Sequence, residues 1–421
     1  MVWGMTSTAE PETPHDERSA KRGSSARRVL RALLLVVAAI ATVWTLVSQF
    51  LALVPVVWTL PLLQWAPLQI VVVLIDTYRD VLGVWNVVIA ITAVVIFVLL
   101  RSPRRRRAWT RITASTMGAI GAVTSTALLF AAVAPAGVRI FDVGNPLESH
   151  VTTPNETVTF GTAGDVTMQG DLYLPEGIAP SDGWPVIVSI HGGGFITGTR
   201  EPSLFTKNLP RDGYAVLDID WRPATATFHA WDTQVGDVGC ALGWLGAEGL
   251  KHEVDVSRLA ILGVSSGGNL AINSAYMANS GTLTSTCDAD ATIPDVKAVI
   301  GGYPAVNLTG LQDTSALTRQ IAQYYAGGTS VEYPERYEYV DSAPHISNAS
   351  PPTFIYTGTR DHLVLASTTI PFIDALNRNG IVNKFVEYPG LGHTAGELTG
   401  TNYATAATLK SAVEWLDAHV Q

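Results

Sequence analysis

Apolar positions fall along this chain in two different ways. In the first third they form long uninterrupted runs, Ala32 to Leu53, Val81 to Leu100 and Thr113 to Ala134. Each has about the 20 residues that a helix rising 1.5 Å per residue needs to cross ~30 Å of hydrocarbon. The pattern predicts three transmembrane helices within residues 32–134. The third is built largely of Ala, Gly, Ser and Thr, residues suited to close helix contacts inside a bilayer. Val56 to Ile75 is apolar too, but Pro61, Gln64, Pro67 and Gln69 interrupt it, and it is not counted as a span. Residues 1–31 are polar and basic with nothing periodic to bury, and read as a disordered tail. Residues 135–150 read as a linker.

From residue 151 the apolar positions come in short β-branched blocks. Leu172 to Leu174, Val186 to Ile190, Ala215 to Ile219, Leu259 to Leu262, Ala298 to Ile300, Thr353 to Thr357 and Lys384 to Tyr388 predict strands. Helical periodicity separates most of them, notably over Asp232 to Glu248, Ser266 to Asn279, Ile370 to Arg378 and Tyr403 to His419. Strands apolar on both sides, alternating with helices, imply an α/β domain over residues 151–421. Its sheet is expected to be mainly parallel and covered on both faces.

Charge separates the same two parts. Residues 1–144 carry 14 Lys and Arg against 7 Asp and Glu, whereas residues 145–421 carry 13 against 29. The basic residues cluster at Lys21, Arg22, Arg27, Arg28 and Arg31 before the first span, and at Arg101, Arg104 to Arg107 and Arg111 after the second. An arginine run abutting an apolar helix reads as a cytoplasmic stop-transfer cluster rather than a nucleic-acid patch, so the lipid bilayer is the expected partner and nucleic acid is not. Both clusters face the cytoplasm only if an odd number of spans precedes residue 151. The acidic domain of this multi-pass protein is therefore expected outside. Cys240 and Cys287, the only two cysteines, allow no zinc cluster. They are expected close enough for one disulfide, two separate buried thiols being the alternative.

The chemistry is concentrated in the acidic part. Gly263-Val264-Ser265-Ser266-Gly267 follows a buried strand and precedes a helix. That tight turn needs its glycines, and it lifts the Ser265 hydroxyl clear of the sheet at a helix N-terminus. Upstream, His191-Gly192-Gly193-Gly194 follows another strand, and consecutive glycines let backbone N–H groups converge as an oxyanion site requires. A serine nucleophile needs a base, and the base needs a carboxylate. Of nine histidines, His393 lies on a glycine-rich loop after the last strand, and Asp361 lies on the loop after the strand before it. The order Ser265, Asp361, His393 fits three strand ends supplying a triad. His362 is the rival base and Glu387 the substitute acid.

These segments resemble the hormone-sensitive-lipase-like group of α/β-hydrolases, which includes bacterial acetyl esterases. The likeness runs over roughly residues 158–420, through HGGGF, GVSSGG, TGTRDHLV and GLGHT. The resemblance implies that Ser265 is the nucleophile, that Asp361 and His393 complete the triad, and that the N–H groups of Gly193, Gly194 and Ser266 bind the oxyanion. The chain departs from the group where Ser266 replaces Ala, where His362 replaces Pro, and over Asp220 to Ala224.

The activity expected is serine carboxylesterase hydrolysis of small or short-chain acyl esters through an acyl-enzyme, on a small-molecule or lipid ester, with no metal and no organic cofactor. The alternatives are an acyltransferase using the same triad on envelope lipid or glycan, and an inactive hydrolase-like adhesion or sensor module. The long excursion from Tyr303 to His345 is expected to cover the site, with Tyr324 and Tyr325 as substrate contacts.

Overall fold

The computed structural model describes residues 14–83, 85–100, 105–133, 152–393 and 403–421. The predicted linker, 135–150, lies outside these residues, as do the first 13 residues of the predicted tail. From Pro14 the tail reading is corrected, because helix α1 runs continuously over Pro14–Leu53. The segment before the apolar run carries five arginines, which favour helix, and no proline follows Pro14 to stop it.

Four more helices follow: α2 (Val56–Leu63), α3 (Ala66–Leu82), α4 (Trp85–Leu99) and α5 (Arg105–Val133). Among the described residues one helical segment, Ser25–Leu53 within α1, is by itself long and apolar enough to cross a membrane. The expected second span, 81–100, is not one helix. It breaks at Gly83, which has φ of +44° and ends α3, and leaves α4 with 15 residues, about 22 Å of helix. The expected third span lies inside α5, whose small and hydroxylated residues lower its hydropathy.

Contacts divide the chain into two units, Met1–Gln49 with Trp85–Ser125, and Phe50–Val84 with Thr126–Gln421. In the first, Ala38, Ala93 and Phe97 are buried together with Leu35, Ala41, Ile96 and Ala114 around them. The glycines of α5 permit this closeness: a Cβ on Gly121 would lie 2.3 Å from Thr45 and one on Gly118 would lie 2.7 Å from Val94.

The second unit holds an eight-stranded sheet: β1 (Glu156–Ala163), β2 (Val166–Tyr173), β3 (Trp184–Ile190), β4 (Ala215–Ile219), β5 (Val254–Val264), β6 (Ala298–Gly302), β7 (Thr353–Gly358) and β8 (Asn383–Tyr388). Their order is β1-β2-β4-β3-β5-β6-β7-β8. The β1–β2 and β2–β4 pairs are antiparallel and all others are parallel. All seven predicted strands are present. β1 is additional: it lies at the sheet edge, half exposed, and its register shifts next to Gly161, so its sequence lacks the continuous apolar block of a central strand.

The helices of this unit are α6 (Leu204–Asn208), α7 (Gln234–Glu248), α8 (Ser266–Asn279), α9 (Leu308–Leu311), α10 (Ala316–Ala326), α11 (Pro334–Val340), α12 (Ala366–Arg378) and α13 (Tyr403–His419). One apolar core joins the sheet to α7, α8 and α12. A separate core joins it to α6 and α13. Cys240 on α7 and Cys287 beyond α8 form a disulfide with Cα atoms 5.5 Å apart, as expected. Gly161 of β1 lies beneath it, where a Cβ would come 2.5 Å from the Cys287 sulfur.

The second unit also includes α2 and α3, so the assignment of residues 32–134 wholly to a separate membrane anchor is corrected for this segment. The reason is an inverted amphipathic pattern. Gln69, Asp76, Arg79 and Asp80 are buried, while Ile70, Val71, Leu74 and Tyr78 are exposed. Gln64 donates to the Thr314 carbonyl and Gln69 to the His362 carbonyl, and the Leu317 N–H donates back to Gln69.

Candidate active site

Ser265 stands between β5 and α8 with φ of +56° and ψ of −121°, a conformation that costs a non-glycine residue energy and persists only where its surroundings enforce it. The flanking glycines enforce it by closeness. A Cβ on Gly263 would lie 2.1 Å from the Gly267 carbonyl oxygen, and one on Gly267 would lie 2.3 Å from the Ile190 and His191 oxygens. The Ser265 N–H donates to the Gly302 carbonyl at 2.8 Å, tying the turn to the end of β6.

His393 and Asp361 arrive from the loops after β8 and β7. His393 Nε2 lies 3.0 Å from Ser265 Oγ, and His393 Nδ1 lies 2.8 Å from Asp361 Oδ2. The other Asp361 oxygen accepts the N–H groups of Leu363 and Val364, both at 2.8 Å. Both side chains are buried, and the Tyr303 ring packs edge-on against the imidazole with centroids 4.5 Å apart. In this arrangement a neutral imidazole can take the serine proton while a fixed carboxylate holds its tautomer. The alternatives considered from sequence lie elsewhere. Glu387 is exposed on β8, and His362 turns its Nδ1 to Asp76 Oδ2 at 2.5 Å.

Gly193 and Gly194 have φ of +138° and +61°, where side chains are disfavoured. At Gly193 a Cβ would also lie 1.7 Å from the Thr197 carbonyl oxygen. Both glycines, with Ser266 at the first turn of α8, line the same cavity as Ser265 and His393. Behind them His191 stacks on Trp221 with centroids 4.7 Å apart, and burial pushes its imidazole below the ordinary histidine range.

The cavity holds about 900 Å³. Apolar side chains from three regions line it, including Phe205 of α6, Leu308 and Leu311 of α9, Ile321 of α10, and Leu363 and Val364 after β7. The excursion after β6 therefore covers the site as expected, through residues other than those named. Tyr324 and Tyr325 do not line the cavity. α10 turns Thr318 and Ile321 to it, whereas Tyr325 is buried behind Phe195, rings stacked at 4.0 Å, and Tyr324 is exposed.

Asp218 of β4 also lines the cavity and is buried. Burial, with the carboxylates of Asp171 and Asp220 nearby, pushes it up to about 8. Arg200 pairs with Asp220 and Asp171. Among the described residues no group of three or more His, Cys, Asp or Glu is placed to hold a metal.

Sequence reasoning passed over the charged residues of α3. Asp76, Arg79 and Asp80 lie at i, i+3 and i+4 in an otherwise apolar stretch, and that pattern is the signal that marks a polar helix face.

The BD-FAE family profile matches residues 170–376. The chain is similar to Esterase LipC of Mycobacterium tuberculosis, 24% identical over 54% of this chain and 57% of that protein. It is also similar to the probable carboxylic ester hydrolase LipM of the same organism, 28% identical over 56% of this chain and 54% of that protein. The match thus spans about half the length of each of these relatives. Among solved structures, esterase Est2 of Thermogutta terrifontis with propionate bound aligns at a TM-score of 0.51 and 23% identity, over 62% of this chain and 93% of that one. The carboxylesterase Cest-2923 of Lactobacillus plantarum aligns at 0.52 and 19%, over 62% and 96%. These two likenesses show a shared fold.

Proposed function

Because this chain belongs to the hormone-sensitive-lipase-like group of α/β-hydrolases, we propose that it is a membrane-anchored serine carboxylesterase acting on small or short-chain acyl esters. The observation that carries this reading is the hydrogen-bonded series Ser265, His393, Asp361 opening onto an apolar cavity. The Ser265 oxygen attacks the ester carbonyl while His393 Nε2 takes its proton. The carbonyl oxygen, now negative, is held by the N–H groups of Gly193, Gly194 and Ser266. His393 then protonates the departing alcohol, leaving an acyl group on Ser265. Water, deprotonated by the same imidazole, releases the acid and restores the serine.

The full-length chain, assayed on p-nitrophenyl esters from acetate to palmitate, should give its highest kcat/KM at short acyl length and react with a fluorophosphonate at Ser265. Absence of both activity and labelling in folded protein would refute the reading. Quantitative transfer of the acyl group to an added alcohol, with no free acid, would make the protein an acyltransferase.

The location follows from α1 and its neighbours. The exposed residues of the first unit include Val36, Val37, Ile40 and Val43 on α1, Ile91 and Val95 on α4, and Ile120 and Val123 on α5. An apolar exterior of this kind suits lipid rather than water, and it supports several crossings. The Cys240–Cys287 disulfide and the two arginine clusters support a catalytic domain outside the cytoplasm. Protease added to intact cells should remove the acidic part of the chain and leave a fragment of the basic part. Full protection, while other surface proteins are digested, would place the domain inside.

A further inference from the structure

Four charged or ionisable groups meet in the interior where α3 touches the two loops bearing Asp361 and His393. Arg79 bridges two carboxylates on its own helix, Asp76 Oδ1 at 2.7 Å and Asp80 Oδ1 at 2.8 Å. The second oxygen of each carboxylate reaches a different loop. Asp76 Oδ2 lies 2.5 Å from Nδ1 of His362, the residue after Asp361, and Asp80 Oδ2 accepts the N–H of Gly392, the residue before His393, at 2.7 Å. All of these side chains are at most 4% exposed.

A buried ionic cluster is a poor way to gain stability, since apolar packing of the same volume often does as well. It does fix geometry, because Asp80 Oδ1 takes both Nε and Nη2 of Arg79, at 2.9 and 2.8 Å, while the second oxygen of each carboxylate is directed at a loop. Two further observations point the same way. Gln69 of α3 donates to the His362 carbonyl at 2.9 Å, so α3 holds that residue at both backbone and side chain. At Gly392 a Cβ would lie 2.6 Å from the Asp76 Cβ and 3.3 Å from Asp80 Oδ2. The φ of Gly392 is not among the positive ones, so the closeness of α3, rather than backbone conformation, requires glycine there.

We propose that α3 is a positioning element for the acid and the base: Asp76 and Asp80, tied by Arg79, set the Asp361 and His393 loops relative to each other. The catalytic unit then begins with the α2–α3 segment and not at residue 151. This inference rests on the triad reading above.

The test is made on the full-length chain in detergent, with kcat and KM measured separately. Asp80→Ala removes the acceptor for the Gly392 N–H, and kcat should fall about tenfold or more with KM within about twofold, because misplaced reacting groups slow chemistry more than binding. Asp80→Asn, which keeps an oxygen in place, should recover most of that loss. Should Asp80→Ala not fold, Asp76→Ala, which removes the group facing His362 Nδ1, carries the same expectation of a fall in kcat at constant KM, with Asp76→Asn recovering most of it. Folded variants with the parent's kcat, or an Asp80→Asn no better than Asp80→Ala, would overturn the positioning role. Ser265→Ala run alongside separates the two readings: if it retains activity the triad assignment fails, whatever the α3 variants do.

Discussion

His393 Nε2 lies 3.0 Å from Ser265 Oγ although 128 residues separate them in the chain. Ser265→Ala should therefore lower kcat on p-nitrophenyl esters on the order of 10⁴-fold or more, with the unfolding transition unchanged. His393→Ala should lose about as much, and the double variant hardly more, because the members act as a unit. His362→Ala should cost less than His393→Ala. The reverse order would identify His362 as the base.

Gly193→Ala tests the proposed oxyanion role of the glycine loop. The added methyl would meet the Thr197 carbonyl at 1.7 Å on a backbone with φ of +138°, so the loop must shift and its N–H with it. A loss in kcat of about 10²- to 10³-fold is expected, with fluorophosphonate labelling slowed in parallel. Unchanged kinetics would remove Gly193 from the site.

Ile321 sits at the mouth of the glycine loop, its Cγ2 3.4 Å from where a Cβ on Gly194 would be. Ile321→Trp should narrow the cavity and reduce kcat/KM for longer acyl esters about tenfold more than for acetate, since each misplaced methylene is worth about 1–3 kcal/mol. Equal losses across the series would mean that the acyl chain lies elsewhere.

Asp218 provides a pH test of stability. Its carboxyl is pushed up to about 8 by burial beside Asp171 and Asp220, against about 4 in an unfolded chain. Between these values the folded protein holds a proton that the unfolded chain releases. The stabilising contribution is whole below about pH 4 and is lost as pH rises through about 8. In Asp218→Asn that loss disappears, so its melting temperature relative to the parent should climb between about pH 4 and 8 and level off above. A constant difference across that range would mean that the carboxyl is already ionised in the fold.

The Cys240–Cys287 bridge closes a sequence separation of 47 residues, and constraining the unfolded chain over that length is worth about 3–4 kcal/mol. Cys287→Ser should lower stability to chemical denaturation by that amount, and reduction of the parent should match it. No change on reduction would show that the thiols are not bridged in the isolated protein.

Much of this protein could be read without a structure because the informative patterns are local. The inner strands β3 to β7 carry largely apolar blocks, the composition that burial on both faces favours. Ser265 and the glycines around it are a steric requirement of one turn, legible over five consecutive residues. Asp361 and His393 each follow a strand, so their loops could be placed once the strands were. Edge strand β1 lacks such a block, and Tyr324 and Tyr325 stand off the cavity because a side chain's direction on α10 depends on how that helix is rolled against its neighbours.

Tertiary structure alone decided the place of α3. In sequence this segment falls within the expected anchor without being counted as a span, and its three charges carry no reading of their own. In the fold the charges turn inward, because His362 and the Gly392 N–H, 286 and 312 residues further along, supply the partners that let carboxylates be buried. A hydrophobic run carries its own reason for burial. A buried charge has its reason in a partner, and no local pattern names a partner that lies so far along the chain.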